Sequence, residues 1–445
     1  MSLLSRRAFV FGSAAGAALP GQKAFAQQVP RSGYVDVVIV GAGAAGIAAS
    51  RKLVAMGKRI VLLEAANQIG GRCVTDTSIF RVPYDRGARS IYWADVNPLA
   101  KLGPQAGLTL YPAPPGQRMR IGRRYAREGE MEDFLANLVR ANAAIADAAR
   151  KSDMACAQAL PKDIAEWRST IDFILGAYGC GKDLSEVSTA DLARAGERDN
   201  GVFCRQGLGT LLARLVPPGI LLPSTPATRI RPAGNIEVET AQGLFRAEAA
   251  IVTASTNVLT SGKLKFDLPK RQLDAASKLK LGTRDRVVLE MPGNPLGLRA
   301  DELVFEKSDA KQTAALFANV YGSSLCMVDV GGSFGRELSA KGETSMVEFA
   351  VSWLSRLYGS DVKSKFKRSH ATRWSEEPWV LGAISAAAPG AQPSRKILTE
   401  PISGRIFLAG EATHETLWGT VGGAWESGER AADSVIRLIG GGRRR

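Results

Sequence analysis

The sequence predicts an α/β fold in two interleaved parts, a doubly wound domain interrupted twice by an α+β domain of mixed sheet and helix. Three observations carry this. A strand, a glycine turn, a helix and a second strand follow one another over residues 34–64. A short apolar strand runs into Ala-Gly-Glu at 405–413. Two long stretches of helical and mixed pattern, 92–204 and 276–399, lie between the pieces.

The first unit reads YVDVVIVGAGAAGIAASRKLVAMGKRIVLLE. Val35 to Val40 is a nearly continuous β-branched run, as a strand buried on both faces requires. Gly41, Gly43 and Gly46 follow in GxGxxG spacing and open an alanine-rich helix to about Met56. Gly57 ends the helix, and Arg59 to Leu63 forms the second strand, closed by Glu64. Gly41 permits the tight turn, Gly43 lets backbone approach a pyrophosphate, and Gly46 allows close helix–strand packing. The helix N-terminus supplies free N–H groups to the phosphates. A carboxylate at the end of the second strand accepts from ribose hydroxyls. A Rossmann-type dinucleotide site is the reading.

Composition fits a globular protein: 445 residues, 45% apolar and 23% charged, with a net charge of +15. At the start, Arg6 and Arg7 precede an apolar, alanine-rich run, and Ala24-Phe25-Ala26 offers a cleavage site. The run is too short to span a bilayer. Ser-Arg-Arg-Ala-Phe resembles a twin-arginine signal, so residues 1–26 are expected to direct export to the periplasm and be removed near Ala26. Removing Arg6, Arg7 and Lys23 takes three positive charges from +15 and leaves +12. No transmembrane anchor is expected after it. The remaining basic excess, with no basic helix or aromatic interleaving, reads as solvated surface rather than a nucleic-acid footprint. Five scattered cysteines and two histidines exclude zinc-ligand spacing and a multi-histidine metal site, so no metal is expected.

Downstream of Glu64 come Gly70-Gly71-Arg72 and then Asp85-Arg86-Gly87-Ala88. Here the chain resembles the flavin-containing amine oxidase family, which includes monoamine oxidases, polyamine oxidases and histone lysine demethylases. The resemblance implies FAD as cofactor, with Gly71 and Arg72 at the phosphates near the flavin and Gly87 and Ala88 in the following turn. It extends through FCRQGLGTLLARLV, a turn and helix returning to the FAD domain, and STPATRIR, whose Ala227 would meet adenine. RIFLAGEAT brings Gly410 and Glu411 to the ribityl chain. The FAD domain is thus expected over 33–91, 205–275 and 400–440. The substrate domain takes 92–204 and 276–399, with the cleft between them. EDFLANLVRANAAIADAARK and TSMVEFAVSWLSRLYG have helical periodicity within these insertions.

Three positions depart from the family's pattern. Arg286, in LGTRDRVVLE, stands where a lysine usually holds a water at flavin N5; it could hold that water, bind an acidic group of the substrate, or close a salt bridge at a domain seam. Ile384 stands at one aromatic-cage position, and Ala383 before it leaves no cysteine for covalent attachment, so FAD is expected to be non-covalent. Thr420 stands at the second cage position, and Thr420-Val421 resembles the demethylase and polyamine oxidase branches. Trp418 is expected to line the flavin, with Trp374, Trp379 and Trp425 as further candidates for the pocket wall. The final helix, from near Val421, would aim its N-terminus at the pyrimidine edge, with Gly422 and Gly423 allowing close approach. The resemblance therefore implies oxidation of a small-molecule amine, with oxygen or a periplasmic acceptor taking the electrons and a homodimer left open. Oxidation of a C–C bond, as in desaturases and porphyrinogen oxidases, and a flavin-binding scaffold without turnover are the alternatives.

Overall fold

The computed structural model describes residues 32–164, 166–198 and 201–441; the expected export signal lies outside them. The first unit folds as β1 (Gly33–Val40), α1 (Ala44–Ala55) and β2 (Ile60–Leu63). Along β1, Val37 and Ile39 face one core layer while Val35 and Val38 face the other. This two-sided burial is why the strand carries no polar alternation beyond Asp36. The first insertion holds the long helix α2 (Glu128–Lys151). The chain then returns through β3 (Ala227–Ala233), β4 (Asn235–Thr240) and β5 (Gly243–Val252).

Next come β6 (Arg284–Glu290), β7 (Leu325–Gly331), helix α3 (Glu343–Tyr358), β8 (Ile406–Leu408) and the final helix α4 (Val421–Gly441). One sheet runs Leu221–Leu222, β2, β1, β5, β4, β3, Lys265–Phe266, with β8 alongside β5. The ten-residue β5 lies parallel to β1 over its length, while its other edge pairs antiparallel with β4 and then parallel with β8. Helix α4 covers this sheet beside α1, burying Ala431, Ala432 and Val435 against Val37, Ile39 and Leu53. The two helices touch backbone to backbone at Gly428, where a Cβ would come within 2.0 Å of the Ala45 carbonyl oxygen.

The second sheet runs Ser369–Ala371, β6, β7, Ala315–Ala318, Glu302–Glu306, Arg118–Ile121, Arg124–Tyr125. It is antiparallel except where Glu302–Glu306 meets Arg118–Ile121. Helix α3 packs Met346, Ala350, Trp353 and Leu357 on one face of it. All five cysteines are buried and free. Among the described residues no helix is long and apolar enough to cross a membrane, and no cluster of His, Cys, Asp and Glu could hold a metal.

Candidate active site

A cavity of about 450 Å³ runs between the two sheets, from the glycine turn after β1 to the start of β6. At the first end, Gly41 has φ +103°, and a Cβ there would collide with Thr253 Oγ1 at 2.4 Å. Gly46 is equally constrained, because its Cβ would sit 1.9 Å from the Gly41 carbonyl oxygen. Gly43 differs: a Cβ would meet only the Gly70 oxygen at 3.8 Å, and its open side faces the cavity. Two glycines are thus required by packing, and the third leaves room for a ligand. The first-turn N–H groups of α1, at Ala44 and Ala45, line the same wall and have no acceptor within the helix.

Glu64 is buried beside this turn, accepting from the N–H groups of Ala42 at 2.8 Å and Ala66 at 2.9 Å. Burial raises its carboxyl above the ordinary value, against those bonds. Each oxygen keeps a lone pair for a hydroxyl donor. Thr225, Pro226 and Ala227, at the start of β3, line the wall next to it.

A charged chain braces the middle of the cavity. Arg72 Nη1 donates to Glu411 Oε1 at 2.8 Å and to the Ala383 carbonyl at 2.6 Å. Glu411 Oε2 accepts from Ser385 Oγ at 2.6 Å and from the Gly419 N–H at 2.7 Å. Burial pushes the Glu411 carboxyl up, but Arg72, the Ser385 hydroxyl and Arg395 outweigh it and hold it below its usual range. Behind Ser385, Arg395 forms a two-pronged pair with Asp191 at 2.6 and 2.7 Å, both side chains fully buried. Gly71, Arg72, Gly87, Ala88, Gly410 and Glu411 all line the cavity.

At the far end, Arg286 lines the wall but is largely committed. Its Nε and Nη2 grip Asp329 at 2.7 and 2.9 Å, and Nη1 donates to the carbonyls of Asp85 at 2.7 Å and Gly87 at 2.9 Å. Four of its five N–H donors are therefore engaged. Of the three roles open from sequence, the contacts here are those of a strut tying β6 to the Gly87 turn. Burial raises the Asp329 carboxyl, but Arg286 and Arg284 overcome that and bring it down to about 2.

Other expectations need correction. Trp418 is fully buried and does not line the cavity; it belongs to the buried cluster that holds Ala386 and Leu184, its ring lies under Arg198 and Arg395, and Nε1 donates to the Asp191 carbonyl. Trp425 is also core, whereas Trp374 and Trp379 line the cavity. Thr420 borders the cavity, but its hydroxyl donates to the Leu417 carbonyl and accepts from the Gly423 N–H, capping α4. Gly422 and Gly423 are small for a different reason than expected. A Cβ would strike Asn97 Nδ2 at 2.7 Å in the first case and the Leu417 oxygen at 2.2 Å in the second. Ile384 and Val421 do line the wall.

Two walls joined by one cavity, a phosphate-type turn and a carboxylate on each strand end are a dinucleotide enzyme's geometry. A family model of flavin-containing amine oxidoreductases matches residues 44–436. The chain belongs to that family. FAD is accordingly the cofactor of this amine oxidoreductase, and the open side of Gly43, the lone pairs of Glu64 and the Arg72–Glu411 pair fit it; Ala383 offers no atom for a covalent bond. The chain is 26% identical over 449 residues to the lysine-specific histone demethylase 1B of Mus musculus, covering 90% of this chain and 52% of that protein. It is 25% identical to the human lysine-specific histone demethylase 2, covering 90% and 53%. It thus spans about half the length of these curated relatives. Cyclohexylamine oxidase from Brevibacterium oxydans superposes with a TM-score of 0.76 at 19% identity, covering 91% of this chain and 99% of that one. A putrescine oxidase bound to putrescine superposes with a TM-score of 0.75 at 19% identity, with the same coverage. These likenesses show a shared fold.

Arg284, Asp285 and Arg198 are among the cavity residues that sequence reasoning missed. Arg284 carried a signal, standing two positions before Arg286 on the same strand and hence on the same face. Asp285 lines the wall with Oδ2 unpartnered, while Oδ1 accepts from the Trp374 N–H at 2.8 Å; burial pushes its carboxyl up to about 6. Arg198 carried no local signal.

Proposed function

We propose that the protein oxidises an amine bound at the Ile384 end of this cavity, with FAD along the rest. The observation that carries the reading is the continuity of one cavity from the Gly43 turn, past Arg72 and Glu411, to Arg286, Trp374 and Ile384. When bound, FAD would supply the acceptor for a hydride from the amine's α-carbon. The residues then have separate tasks. The turn at Gly41–Gly43 and the first turn of α1 would receive the pyrophosphate, and Glu64 would accept from ribose hydroxyls. Arg72, fixed by Glu411 and the Ala383 carbonyl, holds positive charge at the cofactor's mid-section. The N-terminus of α4, capped by Thr420, lines the same cavity and would offer a partial positive charge to a cofactor that gains negative charge on accepting hydride.

Neither histidine lines the cavity; His370 pairs with Glu343 and His414 with Glu426. The amine would therefore react in its neutral form, without an imidazole base. The imine formed is hydrolysed by water to a carbonyl compound and ammonia or a smaller amine. The two electrons pass to oxygen, giving hydrogen peroxide, or to another acceptor. Anaerobic mixing of the purified yellow holoprotein with a panel of amines tests this: bleaching of the flavin band is expected, and a panel that leaves the band untouched would count against amine oxidation. A site for this chemistry in the periplasm is part of the proposal, resting on Arg6-Arg7 and Ala24-Phe25-Ala26. Replacing both arginines by lysine should then trap a folded precursor in the cytoplasm.

A further inference from the structure

The charges lining the cavity do not balance. Arg72 is paired with Glu411, Arg86 with Glu377, and Arg89 with Asp301. Arg286 and Arg284 share a single carboxylate, since Arg284 Nη2 donates to the same Asp329 Oδ2 at 3.0 Å. Arg198 has no carboxylate within ion-pair reach among the described residues; its Nη1 and Nη2 donate to the carbonyls of Gly179 and Trp418. Among the described residues, and apart from the exposed Lys263, which donates to the Pro378 carbonyl, two positive charges in the wall therefore lack a partner, and neither of the remaining lining acids pairs with them. Glu64 is bound by two N–H groups at the opposite end, and Asp285 accepts from the Trp374 N–H and the Thr372 hydroxyl rather than from either guanidinium.

Both unbalanced arginines sit at the substrate end. The Arg284 guanidinium lies 4.0 Å over the ring of Tyr178, which also lines the cavity. Arg198 bonds the next residue, Gly179. A Cβ built on Gly419 would fall 2.6 Å from Ile384 Cγ2 and 3.1 Å from Arg198 Nη2. A guanidinium thus adjoins Ile384, the place where an aromatic cage would favour a plain alkylammonium. Like charge at that spot does the reverse.

We propose that the substrate is an amine that also carries a carboxylate, and that Arg198 and Arg284 bind this carboxylate beside Ile384 and Tyr178. This rests on the amine-oxidation reading above and narrows its substrate class. Arg198 uses two of its five donors on protein carbonyls and Arg284 one on Asp329, so both keep donors for a carboxylate's two oxygens. The same positive wall favours the unprotonated amine, the form that can lose hydride from carbon. With an α-amino acid the hydride and its electron pair leave the α-carbon, the imino acid takes up water, and a 2-oxo acid and ammonia are released.

The test uses holoenzyme and matched pairs that differ by the carboxylate alone: norleucine and pentylamine, phenylalanine and phenethylamine, ornithine and putrescine. In anaerobic stopped flow, at least one amino acid should reduce the flavin about 100-fold more efficiently than its amine. Arg198→Met and Arg284→Met should each collapse that ratio by about 10-fold or more. Independently of turnover, pentanoate should perturb the flavin absorbance of the unsubstituted enzyme at millimolar concentration, and pentylamine should not. Amines that bleach the flavin as fast as their amino acids, or a flavin spectrum blind to pentanoate, would overturn the carboxylate site while leaving amine oxidation intact. A flavin that neither class bleaches would overturn amine oxidation and this proposal together. The paired substrates and pentanoate need no variant, so a poorly folding substitution leaves the test whole.

Discussion

Replacing Asp285 by asparagine should stabilise the protein at neutral pH and flatten its pH dependence. The side chain is fully buried, and its Oδ2 has no partner. Burial outweighs the bonds from the Trp374 N–H and the Thr372 hydroxyl and raises the carboxyl from 3.8 to about 6. An acid raised in the folded state binds its proton more tightly there than in the unfolded chain. Between about pH 4 and pH 6 the folded protein therefore holds more protons, and stability falls as pH rises through that window. At about 1.36 kcal/mol per pH unit, the full separation corresponds to about 3 kcal/mol lost by pH 7. Asparagine keeps the Oδ1 acceptor and carries no charge, so the variant should gain about 1–3 kcal/mol over the parent at pH 7. At pH 4.5 it should gain much less. Urea unfolding of both proteins from pH 4.5 to 8, at one fixed excess of FAD, measures the difference directly. A difference that stays constant with pH, or grows towards acid, would refute the reasoning.

Three further outcomes follow from the geometry. Gly43→Ala should fold with near-normal melting temperature yet lose flavin on dilution, because its Cβ meets no protein atom closer than 3.8 Å; Gly46→Ala, with a Cβ 1.9 Å from the Gly41 oxygen, should fail to accumulate folded. Arg395→Met leaves Asp191 buried without a counter-charge and should cost about 3–5 kcal/mol in denaturant unfolding, partly recovered by adding Asp191→Leu. Arg286→Lys surrenders a two-pronged bond to Asp329 and at least one carbonyl contact, so it should lower stability by about 2–4 kcal/mol; an unchanged melting temperature would remove its role as a strut.

The cofactor half was legible because its signals are local. GxGxxG between two apolar strands fixes a turn, a helix start and a strand-end carboxylate within a short stretch, each dictated by sterics at the residue itself. Glu411 could be placed for the same reason, at the end of β8. The second sheet was not legible: Arg118–Ile121 joins Glu302–Glu306 in parallel across a long sequence gap, and no pattern in either strand names its partner. Pairings of charge share this property. That Arg286 and Arg284 would divide one carboxylate depends on β6 lying beside β7, and Arg198 enters the cavity only through the fold of the insertion. Trp418 misled because a tryptophan next to the cofactor segment can turn inward, and here it fills the core beneath Arg395.

The sheet that begins at β1 and β2 is completed by β8 and sealed by α4, with hundreds of residues between them. A ribosome that has released everything up to residue 400 has made the phosphate turn but neither Glu411 nor the helix that backs α1. The growing chain can therefore offer FAD only half a grip until the stretch after residue 400 emerges, and the cofactor becomes the clasp that joins two segments made far apart in time. Trimming residues 421–441 from the finished protein should accordingly release the flavin before it unravels the second sheet.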